Sequence, residues 1–245
     1  MARFYAPPAS WNGDQIALDA AESRHASEVL RLKSGDALVV FDGQGRRASG
    51  VLLNAGRHGA TVRVESVSLT PRPVCEITLV QAVPKGKLMD WILEKATELG
   101  VARIVPVITE RTVVHIDAAD AQKKREKWSR TVVEACKQCG QDWLPEVDLP
   151  QSLGSFLKQK GTGDLAVFGS LYPGAKSFSE VLASVSRPQG SAVFIGPEGD
   201  FTAGEVQLML DWGAKPVTLG PIILRVETAA MYCLSVLSHS FASLA

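Results

Sequence analysis

From Cys75 onward the chain alternates short apolar runs with amphipathic stretches of helical period, and this alternation restricts the possible folds more than any other feature. The spacing predicts a strand over residues 76–82 and a helix over 85–99, with Leu88, Trp91, Ile92, Ala96 and Leu99 on one face and Gly100 as its stop. Further strands are expected at 104–108, 165–168, 192–195 and 216–219, with helices at 118–140, 176–185, 202–212 and 225–243. Such a series forms a parallel sheet covered on both faces.

Residues 1–72 have a different texture. After a helical segment at 20–31 come three β-prone runs, 37–41, 46–53 and 60–69, and Asp42-Gly43-Gln44-Gly45 between the first two is a hairpin signal. Short strands and tight turns predict a small β-barrel. Thr70-Pro71-Arg72-Pro73 favours an extended connection, placing a boundary between a domain of residues 1–72 and one of residues 73–245.

Two junctions in the second part share one architecture. Ala192–Ile195 runs into Gly196-Pro197-Glu198-Gly199-Asp200-Phe201, and Thr202 and Glu205 then have capping-box spacing. Pro216-Val217-Thr218 runs into Leu219-Gly220-Pro221-Ile222-Ile223-Leu224, and a helix opens at Arg225. Loops are ordinarily polar and superficial, so the aliphatic second loop is expected to lie against the fold or a ligand. Arg225 opposes the helix dipole; it serves either a salt bridge to Glu227 or Glu205, or contact with an anion. Glu227 is favourable at a helix start on local grounds. Two such junctions predict one cleft beyond the strand ends.

The run Lys123–Arg130, with Trp128 among its cations, reads either as a solvated helix face or as a grip on an RNA backbone. Formal net charge is zero, and residues 1–72 hold nine Lys and Arg against seven Asp and Glu. Any attraction for nucleic acid must therefore be local. The N-terminus lacks an apolar core of signal-peptide length, no apolar span suits a membrane helix, and four cysteines make no disulfide framework. The expectation is a protein of the reducing cytoplasm, without a membrane. Cys136 and Cys139 fall inside a predicted helix without companion ligands, and His25, His58, His115 and His239 are scattered, so no metal site is expected.

Neither a Walker nor a dinucleotide glycine motif is present, and Glu198 sits where a phosphate cradle wants only N–H groups. A neutral or cationic ligand such as an adenosyl sulfonium suits this cleft better.

Ile195-Gly196-Pro197-Glu198-Gly199, Leu219-Gly220-Pro221 and Ile223-Leu224-Arg225-Val226-Glu227-Thr228-Ala229 resemble the 16S rRNA (uracil-N3) methyltransferase family, RsmE, of the SPOUT superfamily. Glu94–Val101, Glu134–Gln138, His25–Lys33 and Gly35-Asp36 extend the resemblance over essentially the whole chain. It implies an α/β protein: an N-terminal PUA-like β-barrel that binds RNA, joined to a SPOUT domain with a deep C-terminal trefoil knot. It implies a homodimer that uses S-adenosylmethionine to methylate N3 of a uridine in 16S rRNA of the small ribosomal subunit. The rival readings are a SPOUT enzyme acting on another rRNA or tRNA nucleotide, and a catalytically silent RNA-binding module. Carried over, Leu171, Gly196, Gly199, Leu219, Gly220 and Leu224 line the cofactor, with Leu171 assigned through the likeness of Ser170–Pro173 to the first knot loop. Arg225, Glu198 and Glu227 are the catalytic candidates, and Arg3, Arg31 and Lys33 the RNA contacts. Three positions depart from the family: Asp200 replaces a Gly, Gln141 stands where Arg is common, and Ile222 replaces an Arg that would contact RNA or cofactor.

Overall fold

The computed structural model describes residues 1–56, 59–159, 163–170 and 174–241. Its elements are β1 (Ala2–Tyr5), β2 (Trp11–Asn12), β3 (Gln15–Leu18), α1 (Ala20–Arg24), β4 (Ala37–Phe41), β5 (Arg46–Gly56), β6 (Gly59–Leu69), β7 (Glu76–Ala82), α2 (Leu88–Glu98), β8 (Arg103–Ile108) and α3 (Ala118–Cys139). There follow β9 (Glu146–Val147), β10 (Gln151–Ser152), α4 (Leu153–Leu157), β11 (Leu165–Gly169), β12 (Lys176–Ser177), α5 (Phe178–Ala183), β13 (Gly190–Ile195), α6 (Ala203–Asp211), β14 (Lys215–Thr218) and α7 (Val226–Phe241). Contacts divide the chain into two compact units, Met1–Arg72 with Val133–Leu144, and Pro73–Val132 with Pro145 onward.

The first unit is a six-stranded sheet in the order β1-β4-β5-β6-β3-β2, antiparallel except where β1 lies parallel to β4. Its buried face gathers Phe4, Ile16, Leu18, Leu38, Val40, Leu52 and Val62, each large apolar side chain contributing about 1.5–3 kcal/mol. The hairpin signal at Asp42–Gly45 is realised: Gly43 and Gly45 have φ of 76° and 88°, and Asp42 Oδ1 accepts the Gln44 and Arg46 N–H groups. The helix expected over 20–31 stops sooner. The α-helix gives way at Arg24 to a π-helix over His25–Val29 that continues the helical run, and Arg31 beyond it takes a left-handed φ of 54°.

Residues 133–144 complete this unit. Arg3 donates to the Gln141 carbonyl at 2.8 Å and to Asp142 Oδ1 at 2.5 Å, and Thr70 Oγ1 donates to Asp142 Oδ2 at 2.5 Å. Asp142 is buried, so the bonds to both its oxygens are what make its charge tolerable there. Lys137 pairs with buried Glu22 at 2.8 Å. Trp143 Nε1 donates to the Thr70 carbonyl, and its ring fills the space above Gly45.

The second unit holds a wholly parallel sheet in the order β10-β8-β7-β13-β11-β14-β12, with β9 paired to β8. Both faces are covered, as the alternating pattern predicts. On one side Val80, Val105, Phe168 and Phe194 meet Phe156 of α4 and Met209 of α6. The intervening residues Leu79, Ile104, Val193 and Ile195 are also buried, on the side where α7 packs against β7, β13 and α2. Among the described residues, no helix is long and apolar enough to cross a membrane.

A Cβ on Gly45 would lie 2.5 Å from the Trp143 ring and 2.8 Å from the Thr70 carbonyl, whereas one on Gly13, also left-handed, meets nothing within 4 Å. Urea denaturation is expected to show Gly45→Ala costing about 3 kcal/mol and Gly13→Ala about 1 kcal/mol. Burial pushes the Cys136 and Cys233 thiols up to about 12, and Cys75 is buried with a raised pKa. Because the thiolate is the reactive form, brief iodoacetamide treatment of native protein at pH 8 should label exposed Cys139 alone. Mass spectrometry after unfolding should then find all four labelled.

Candidate active site

The two junctions come together at the carboxyl ends of the parallel strands. Gly196–Asp200 after β13, and Leu219, Gly220 and Ile222–Glu227 after β14, line one cavity of about 750 Å³, to which Gly169 and Ser170 from the end of β11 and Leu88 from α2 also contribute. That volume suits a small-molecule ligand. Gly196, Gly199, Leu219, Gly220 and Leu224 all line it, as do Arg225, Glu198 and Glu227. Leu171 lies outside the described residues, as does His58.

Glycine is favoured at three points of the wall. A Cβ on Gly169 would come within 3.1 Å of Leu219, and one on Gly196 within 3.2 Å of the Phe201 ring. Gly220 has a φ of 118°, a conformation that side chains rarely adopt.

The loops are tied together by polar contacts. The predicted capping box forms, with Glu205 Oε2 accepting the Thr202 N–H at 2.9 Å. Its other oxygen accepts the Glu110 N–H at 2.9 Å, joining the β8 loop to the start of α6. Arg111 Nη1 donates to the Gly199 carbonyl at 2.7 Å, and Glu198 Oε1 accepts the Lys85 N–H at 3.1 Å. Arg111 escaped the sequence reading because its partner lies 88 residues away; no local pattern marks it.

Arg225 makes no ion pair with Glu227 or Glu205 among the described residues, since the Glu205 carboxylate is already taken up by backbone groups. Its side chain is an exposed cation in the cavity wall, in company with Glu198, Asp200 and Glu227. Of the two placements expected for the loop Ile222–Leu224, against the fold or against a ligand, the first does not hold, since Ile222 is 69% and Ile223 79% exposed. Their contribution is an apolar border to the cavity. The donor set fits S-adenosylmethionine, because apolar walls and exposed backbone suit a neutral base while three carboxylates against one guanidinium suit a cation better than a polyphosphate.

The other sequence candidates are distributed differently. Arg3 is drawn into the first unit by Asp142 and lies 4.4 Å from the Phe41 ring centroid; at 11% side-chain exposure it is a structural cation, not a surface grip. Arg31 and Lys33 are exposed. In α3, Trp128 is buried, Arg125 donates to the Val147 carbonyl, and Lys127 pairs with Asp90 at 2.6 Å. Trp128 therefore offers no stacking surface to RNA.

With this geometry in place, relatives are informative. Residues 70–238 match the model of an RNA methyltransferase domain, and residues 18–65 that of an RNA methyltransferase PUA domain. Ribosomal RNA small subunit methyltransferase E of Synechocystis is 34% identical over 90% of this chain and 71% of its own, and that of Bacillus subtilis 30% identical over 96% and 91%. The crystal structure of ribosomal RNA small subunit methyltransferase E from Neisseria gonorrhoeae bound to S-adenosyl methionine matches with a TM-score of 0.89, at 30% identity over all of both chains. The chain is therefore a member of the ribosomal RNA small subunit methyltransferase E family.

Proposed function

We propose that this protein transfers the methyl group of S-adenosylmethionine to N3 of a uridine in 16S rRNA of the small ribosomal subunit. The observation that carries this reading is Arg225, a guanidinium without an ion-pair partner among the described residues, set in a glycine-walled cavity that is otherwise acidic. When bound, S-adenosylmethionine supplies an electrophilic methyl on a sulfonium.

Uracil N3 carries a proton and faces the pairing edge, so the base must be unpaired or flipped before it can react. Arg225 stabilises the charge that develops on the imide as N3 loses its proton. Glu227, in the first turn of α7, accepts that proton; Glu198, with one oxygen on the Lys85 N–H, holds the loop. The new N–C bond forms as the C–S bond breaks, and fixed loops supply much of the rate through positioning.

The finer architecture follows the same reading. The first sheet closes as a PUA-like barrel over residues 1–72 and presents Arg31 and Lys33 to the RNA backbone. The second domain, residues 73–245 apart from the segment 133–144 that completes the first unit, carries a deep trefoil knot, supported by the placement of β11 between β13 and β14 and by the two late loops sharing one cavity. Two copies associate through the half-exposed Trp91 of α2 and Tyr232 of α7, on helices that pack together, with the exposed Ile222 and Ile223 nearby in sequence to α7. The enzyme works in the cytoplasm, consistent with four unpaired cysteines.

Purified protein, labelled S-adenosylmethionine and small subunits from cells lacking uridine-N3 methylation are expected to yield label in 3-methyluridine. Label in another nucleoside would overturn the substrate, and RNA binding without cofactor binding would favour a silent RNA-binding module. Arg225→Ala should lower turnover by at least about 100-fold, the scale of losing a charge-stabilising donor, while calorimetry finds cofactor affinity not weakened. Loss of cofactor affinity instead would refute its assignment to the RNA step.

A further inference from the structure

Asp200 occupies an unusual conformation in the cavity wall. Its φ is 60°, in the left-handed region, and its N–H donates to the Pro197 carbonyl at 2.9 Å, closing the turn that follows β13. Asp is among the few non-glycine residues that enter this region readily, because a short polar side chain can bond locally. Here it does so: Oδ1 accepts the Phe201 N–H at 2.8 Å. That oxygen lies 3.4 Å from the point where a Cβ on Gly196 would sit. The carboxylate is therefore fixed by a short tether and one hydrogen bond beside a glycine of the cavity.

Its charge is not spent inside the protein. Arg111 reaches the same loop but gives Nη1 to the Gly199 carbonyl, with a longer contact to that of Phe201. Asp200 has no ion-pair partner among the described residues. The other two acids of the wall have other employment: Glu198 takes the Lys85 N–H, and Glu227, in the first turn of α7, is the acceptor of the N3 proton in the proposed reaction. A charge within a Debye length of a bound ligand, about 8 Å at physiological salt, still acts on it.

The reaction changes the charge of the ligand in this cavity. Loss of the methyl group converts a sulfonium into a neutral thioether and leaves the rest of the molecule unaltered. We propose that Asp200 is a charge-selecting residue that favours the cationic methyl donor over its neutral-sulfur product. This rests on the cavity's being the S-adenosylmethionine site. Glycine at this position would relieve the backbone but carry no such preference.

The test is calorimetric titration of the full-length protein and its Asp200→Asn variant with S-adenosylmethionine, S-adenosylhomocysteine and sinefungin, whose amine replaces the sulfonium as a cation. Asparagine retains the shape, the acceptor for Phe201 and the tolerance of left-handed backbone. Asp200→Asn is expected to weaken both cationic ligands by roughly three- to tenfold, the scale of one partly screened charge, and the homocysteine form by less than about twofold. Asp200→Gly, free of the left-handed penalty, should lose the same discrimination, which keeps the test valid should the first variant fold poorly. Equal weakening of all three ligands would make Asp200 a charge-independent contact, and unchanged affinities would make it a spectator; either overturns the proposal. Failure of the unaltered protein to bind any of the three would instead overturn the reading of the cavity, and this inference with it.

Discussion

The buried carboxylate of Glu205 is the interaction on which the second unit's cavity depends. A carboxylate inside a protein is costly unless its lone pairs are engaged, and this one is: Oε1 receives the Glu110 N–H, and Oε2 receives the N–H of Thr202. One side chain thereby starts α6, satisfies the loop after β8 and secures the segment following β13. Bonds to an ionised acceptor are stronger than neutral ones. Arg111 adds a second tie from the β8 loop to the Gly199 carbonyl. The glycines facing the cavity, which have no side chains to anchor them, are held by their neighbours.

Much of this was legible in the sequence. Strand–helix alternation gave the parallel sheet because each element must bury a face, and the Thr202–Glu205 spacing located a helix start within one residue of α6. The Gly-Pro junctions pointed to the cavity because both follow strands of one sheet. Illegible were the short elements β1, β2, β3, β9 and β10, whose few residues carry too little periodicity to register. Illegible also was the fate of Trp128, whose cationic neighbours suggested an exposed helix face although the ring is 3% exposed. Arg3 misled for a related reason. Its partners at 141 and 142 lie 138 and 139 residues away, so nothing near it revealed that its charge was already engaged.

The departures from the family pattern have different physical characters. Asp200 keeps the left-handed backbone that a glycine would adopt, and places a charge at the cavity wall. Gln141 offers Arg3 its main-chain carbonyl, a contact that does not depend on its side chain. Ile222 exchanges a cation for exposed apolar surface, leaving Arg225 as the basic residue of the described cavity wall. Attraction for an anion there is consequently concentrated in that single side chain, among three carboxylates.

The makeup of the first unit has a consequence for synthesis on the ribosome. Its sheet is encoded by the first 72 residues, yet Asp142 and Trp143 arrive only with the segment Val133–Leu144. At about 5–20 residues per second, translating the intervening stretch takes roughly 4–14 s. Throughout that interval Arg3 lacks its counter-charge and the space above Gly45 is unfilled. The nascent sheet must wait for a downstream part of the gene, so the order of emergence and the order of completion differ.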